Sequence, residues 1–195
     1  MHKKSAMRKL TRTSLFAGIL LLLSGCIAAT IGLVTVSTIT LVQDPRTVGT
    51  FVDDNVIEAS AIKEMVTDPL LDGTHVSITV VNGVALLTGE VDSTEQKLRA
   101  AAIANSFQGV TQVVNQVDQT SNSSLTSRSN DTLITAKVKT ALIRDKLVES
   151  NNIKVVTARG VVYLMGIVTE EQEAQAVKLT QGVGGVERIV KVFMR

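Results

Sequence analysis

The sequence predicts an α+β protein made of two tandem αββαβ units, each a three-stranded mixed sheet with two helices on one face. Three observations carry this. The chain repeats itself at a shift of 77 residues, each repeat holds a glycine-centred hairpin signature, and helical and strand periodicities flank that hairpin in the same order. With 195 residues, 45% hydrophobic and 19% charged, the chain suits one or two small domains and is too apolar to be disordered.

The repeat is explicit. Asp54, Ile57, Asp68, Gly83, Leu87 and Gly89 recur as Asp131, Ile134, Asp145, Gly160, Leu164 and Gly166. After one deleted residue the shift becomes 76, and Glu95, Gln96, Ala100 and Gly109 recur as Glu171, Gln172, Ala176 and Gly185. The units span residues 53–117 and 130–195, with a polar stretch of linker composition at 118–129 between them.

Each unit is expected to open with a helix capped by aspartate, Asp54 in the first and Asp131 in the second. Ile57, Ala61 and Met65 then recur at helical spacing, as do Ile134, Val138 and Leu142. Strands at 75–81 and 84–88 flank Asn82-Gly83, a turn pair that tolerates positive φ; strands at 153–158 and 161–165 flank Arg159-Gly160. Second helices at 93–107 and 170–181, closed by glycine, lead to last strands at 110–117 and 186–193.

The N-terminus reads as an address. Residues 1–25 join a basic start (Lys3, Lys4, Arg8, Lys9, Arg12) to an apolar run at 15–23 and small residues before Cys26, as in a secretory signal peptide that is removed. Leu23-Ser24-Gly25-Cys26 resembles the bacterial lipobox, which implies that Cys26 is acylated and becomes the new N-terminus. Ile27 follows where an aspartate would imply retention at the inner membrane, so the resemblance implies the outer membrane, facing the periplasm. Within the lipidated segment 26–52, residues 27–42 form an uncharged, β-branched tract that could lie along the membrane, pack on the first unit or pair as a strand.

The inventory is poor for catalysis. The chain has one Cys, two His and no Trp, which excludes a disulfide framework within it and a zinc site of Cys/His type. No enzyme activity, metal or cofactor is expected. His75 suits a packing or surface role, and Glu170, Glu171 and Glu173 suit the positive end of a helix. Gly182-Val183-Gly184-Gly185 precedes a strand rather than a helix, and reads as a helix stop rather than a nucleic-acid loop.

Charge distribution says more. From Cys26 onward 15 basic residues face 18 acidic ones, a balance that does not suit nucleic acid. Residues 53–117 hold nine acids and three bases, whereas 129–195 hold seven acids and ten bases. The second unit is therefore suited to an anionic surface. On its first helix, Leu133, Lys137, Thr140 and Arg144 form a stripe the core does not need, with Lys139 and Lys146 nearby. The stripe reads either as a membrane-interface face or as a solvated face on which Leu133 staples its own helix start.

An αββαβ unit with a glycine in its hairpin and another near the end of its second strand resembles the BON domain. Two copies behind a lipobox, together with the stretches 44–50, 129–132 and 164–170, resemble the dual-BON lipoproteins of bacterial outer membranes. That resemblance implies binding of anionic phospholipids, phosphatidylglycerol and cardiolipin, by the first helix of the second BON domain. The matching residues are Leu133, Ala136, Lys137, Lys139, Thr140 and Arg144. It further implies support of envelope integrity and enrichment at the division site. The family's helix carries tryptophan where this chain has Leu133. The rival reading is a protein adapter that docks an envelope assembly factor or a peptidoglycan enzyme, for which the acidic first unit is suited.

Overall fold

Two hairpins organise two halves of the same design. The computed structural model describes residues 48–194. The first half runs α1 (Val48–Thr67), a 3-10 turn (Pro69–Leu71), β1 (His75–Val81), β2 (Val84–Val91), α2 (Thr94–Ser106) and β3 (Gln112–Gln119). The second runs α3 (Leu125–Arg144), a 3-10 turn (Ser150–Asn152), β4 (Ile153–Ala158), β5 (Val161–Ile167), α4 (Glu170–Gln181) and β6 (Arg188–Met194). Each sheet has its hairpin strand antiparallel and its last strand parallel to a central strand, in the orders β1-β2-β3 and β4-β5-β6. The α+β fold is as expected. The signal peptide, Cys26 and the 27–42 tract lie outside the described residues.

Asp54 and Asp131 are not helix caps. Both helices begin earlier than expected, and both aspartates lie inside them, buried. The Asp54 carboxylate accepts from the backbone N–H groups of Asn82 (2.6 Å) and Gly83 (2.9 Å). Asp131 accepts from Arg159 and Gly160, both at 2.9 Å. These turns place both central residues at positive φ, about 50° and 73°, which points their N–H groups inward together. A buried carboxylate that receives two such donors is satisfied by charge-assisted hydrogen bonds. The recurrent aspartate thus ties the first helix to the hairpin tip. The true cap of α3 is Ser124, whose hydroxyl accepts from Ser127 N–H at 3.1 Å. The stretch at 118–129 accordingly holds the end of β3 and the first turn of α3, with few residues left to link them.

The other recurrent pairs have equally local reasons. Gln96 and Gln172 complete capping boxes with Ser93 and Thr169 at the starts of α2 and α4. Gly89 and Gly166 lie where the hairpin partners approach closely. A side chain there would come within 1.8 Å of the His75 carbonyl oxygen, or 1.9 Å of that of Asn152.

Three clusters hold the molecule. Ile57, Ala61 and Met65 of α1 pack with Ile103 of α2 over Leu87 and Val91 of β2. Ile134, Val138 and Leu142 of α3 pack over Val162 and Leu164 of β5. The third cluster joins the halves: Val81, Val84 and Leu86 meet Val161, Tyr163 and Met165. Alternate residues of β2 and β5 thus face their own helices and the other sheet, which is why both strands are buried along nearly their full length. Burial of the third cluster contributes on the order of 10–20 kcal/mol before ordering costs. Neither small half therefore has to be stable alone.

Candidate membrane-interface site

α3 packs one face on its sheet and leaves the opposite face bare. At 100° per residue, Ile134, Val138 and Leu142 define the buried direction. Leu133, Ala136, Lys137, Lys139, Thr140 and Arg144 are all exposed. They lie on one continuous outer surface, apolar along its middle, with Lys137 and Arg144 on one flank and Lys139 on the other. Thr140 donates its hydroxyl to the Ala136 carbonyl at 2.7 Å, so that hydroxyl is already occupied.

One further residue belongs to this surface that the sequence alone did not single out. Ile143 is 68% exposed, on the same face as Leu133 at 59%, and Leu147, just past the helix, is also exposed. The signal for Ile143 was available, since it falls nearly opposite the core residues on a helical projection. It was hidden because Ile143 abuts Leu142, and adjacent apolar residues look like one core segment. Large aliphatic side chains left in water on a basic helix are what an interfacial element requires.

The basic residues are available. Among the described residues the ion pairs are Arg99–Asp68, Arg159–Glu90 and Lys191–Glu173, so Lys137, Lys139, Arg144 and Lys146 keep their charge for an external partner. The nearby acid is occupied. Asp145 accepts from Leu147 and Val148 N–H (2.9 and 3.1 Å) and from the Gln175 amide (2.8 Å). The Gln175 hydrogen bond, followed by that from Leu147, holds its carboxyl below the usual carboxylate range.

Among the described residues, no group of three or more His, Cys, Asp or Glu could hold a metal ion. No described helix is long and apolar enough to cross a membrane. His75 stands at the start of β1, half-buried. The glutamates at 170, 171 and 173 occupy the first turn of α4, and Gly182 closes that helix.

Two αββαβ units joined sheet to sheet, the second with a basic and apolar outer helix face, define the class of protein. Residues 53–121 and 130–193 each match the BON domain model, and the chain belongs to the BON domain family. It is 31% identical over 185 residues to the outer membrane lipoprotein DolP of Haemophilus influenzae, which covers 94% of this chain and 95% of that protein. It is 29% identical to a 21 kDa hemolysin of Actinobacillus pleuropneumoniae, over 77% of this chain and 78% of the other. With osmotically-inducible protein Y of Escherichia coli it shares 32% identity, over 73% and 72%.

Proposed function

We propose that this protein is a non-enzymatic lipoprotein of the outer membrane, anchored through Cys26 and facing the periplasm, that reads anionic phospholipid with the outer face of α3. Near-full-length similarity to an outer membrane lipoprotein supports the anchor and compartment. The observation that carries the lipid reading is the union, on one bare face, of Leu133 and Ile143 with Lys137, Lys139 and Arg144, which make no ion pair among the described residues.

Magnitudes set the kind of binding. Four bases against Asp145 leave three net charges, worth about 1 kcal/mol each near an anionic leaflet. Insertion of Leu133 and Ile143 adds about 3–4 kcal/mol. A total of about 6–7 kcal/mol corresponds to a Kd in the tens of micromolar. That is weak in free solution and ample beside an acyl anchor that fixes the protein at the bilayer. α3 therefore selects among membrane patches, favouring phosphatidylglycerol and cardiolipin, and the anchor supplies retention. Support of envelope integrity and enrichment at the division site follow if such lipids concentrate there.

Vesicle co-sedimentation of the soluble chain from Asp44 tests this. Wild type should bind phosphatidylglycerol vesicles and not phosphatidylcholine vesicles, with binding that falls as salt rises, and Lys137→Glu or Leu133→Glu should abolish it. Binding indifferent to lipid charge overturns the reading.

One observation favours a second role. α1 also leaves apolar residues bare, with Val56 59% and Val66 78% exposed, in the acidic half. That face suits a protein partner such as an envelope assembly factor or a peptidoglycan enzyme, and Val66→Glu should release such a partner while lipid binding stays intact.

A further inference from the structure

A cavity of about 220 Å³ lies between the halves, lined by His75, Ser77 and Glu90 from the first and by Arg128, Thr132 and Thr157 from the second, among others. Charged and hydroxyl side chains share its walls with Val156 and Ala158, and the sheets beside it meet through an apolar cluster. Glu90 is 2% exposed. One of its oxygens faces Arg159 Nη1 at 3.9 Å, and the other, Oε2, receives no hydrogen bond. Arg128 donates through Nη2 to the Ser123 carbonyl at 3.2 Å, while its buried Nε–H has no acceptor. An acceptor and a donor, both charged groups, thus face one small chamber with unfilled valences.

Such groups are costly to bury unless something completes them. The fold does not need them. Ile167 occupies the position of Glu90 in the other half, so an apolar residue is compatible with the same repeat. The Asp131 carboxylate also lines the chamber, with each of its oxygens accepting from one turn amide.

We infer that this cavity binds a small organic zwitterion, with its ammonium group donating to Glu90 Oε2 and its anionic group accepting from Arg128 Nε. The size agrees, because the chamber is smaller than the roughly 300–1,000 Å³ of drug-sized pockets. The hydroxyls of Ser77 and Thr132 supply further contacts around such a molecule. This site is separate from the outer face of α3, and its occupancy does not depend on the anionic-lipid contact of that face.

The test uses the mature chain with Cys26→Ser, followed by calorimetry and by amide NMR shifts, with glycine, β-alanine and O-phosphoethanolamine as probes. Acetate, ethylamine and glycine betaine lack one of the two groups or the N–H donor. The expected result is saturable binding of at least one ammonium zwitterion, none of the three controls, and shifts centred on Ser77, Gly89 and Thr132. Glu90→Gln should weaken it about 10–100-fold while the amide spectrum stays folded, and Arg128→Met should do the same. If phosphatidylethanolamine vesicles produce those shifts and free probes do not, the same chemistry belongs to a lipid head group. Binding that is equal in Glu90→Gln, equal for the controls, or absent with every probe and vesicle overturns the inference.

Discussion

Helices α1 and α3 share one ancestral pattern, and each ties its aspartate to a hairpin tip and buries the same stripe on its sheet. Their outer faces are both apolar: Val56, Ile62 and Val66 on α1 answer Leu133 and Ile143 on α3. They differ in charge. Where α3 carries Lys137, Lys139 and Arg144, α1 carries Ser60, Ile62 and Thr67. Glu58 of α1 turns inward and accepts from Val80 N–H at 3.0 Å, at the position where Thr135 of α3 meets Thr157. Bare aliphatic surface is thus common to both halves, and positive charge is what specialises the second. The repeated unit accounts for the shared shape, and a few surface residues account for the difference in charge.

The largest expected effects fall where the halves are the same. Gly89→Ala and Gly166→Ala force a side chain into the neighbouring strand's carbonyl, and each should cost about 4 kcal/mol or more. Urea unfolding reads this directly, and a mild effect in one half alone would show that the sheets differ more than their registers suggest. Next come Asp54→Ala and Asp131→Ala, each of which strips two charge-assisted hydrogen bonds from a turn. About 2–4 kcal/mol is expected for each.

The joint between the halves has its own reporter. Tyr163 is the only tyrosine, and burial between the sheets raises its phenol above the ordinary value of 10.0, opposed by Arg188 and reinforced by Asp118. A group whose folded pKa is raised contributes stability that is whole below its unfolded pKa and lost as pH rises through the folded one. Stability should therefore hold up to about pH 10 and decline above it, with the phenolate absorbance appearing late. Tyr163→Phe should remove that alkaline decline.

The smallest effect separates a pair of equivalent corners. Asp68 is held low first by its hydrogen bond from Arg99, at 2.7 Å, while Asp145 is held low first by Gln175 at the matching position. Each contributes stability present at neutral pH and lost as pH falls through the lowered carboxyl pKa. Arg99→Gln converts the first corner into the second, and should change Tm least of the set because exposed ion pairs contribute little. A large loss would mean that the Asp68–Arg99 pair holds more than its own corner.

Much of the fold is legible in the chain because its signals are local. Asn82-Gly83 and Arg159-Gly160 mark turns by backbone geometry, and the glutamines at 96 and 172 mark helix starts. What the sequence hid is non-local. Aspartate at 54 and 131 has N-cap chemistry, and only the hairpin tip 28 residues away shows that it serves the turn instead. The Ser- and Asn-rich stretch at 118–129 has linker composition, yet Ser124 starts a helix within it. The joint between sheets was foreshadowed only by the apolar runs at 84–87 and 161–165 that open β2 and β5, which a one-sided sheet does not need. At the candidate site the bases were legible from charge alone, while Ile143 needed the direction of the core before it could be assigned to the outside.

If α3, and not its twin α1, reads the membrane, the two helices must respond differently to one and the same change. The most direct test places the same substitution at the same position of each half, Ile143→Glu and Val66→Glu, and measures binding to phosphatidylglycerol vesicles at physiological salt. Loss of binding in Ile143→Glu with wild-type binding in Val66→Glu is the predicted result. Equal loss in both, or full binding in both, contradicts it.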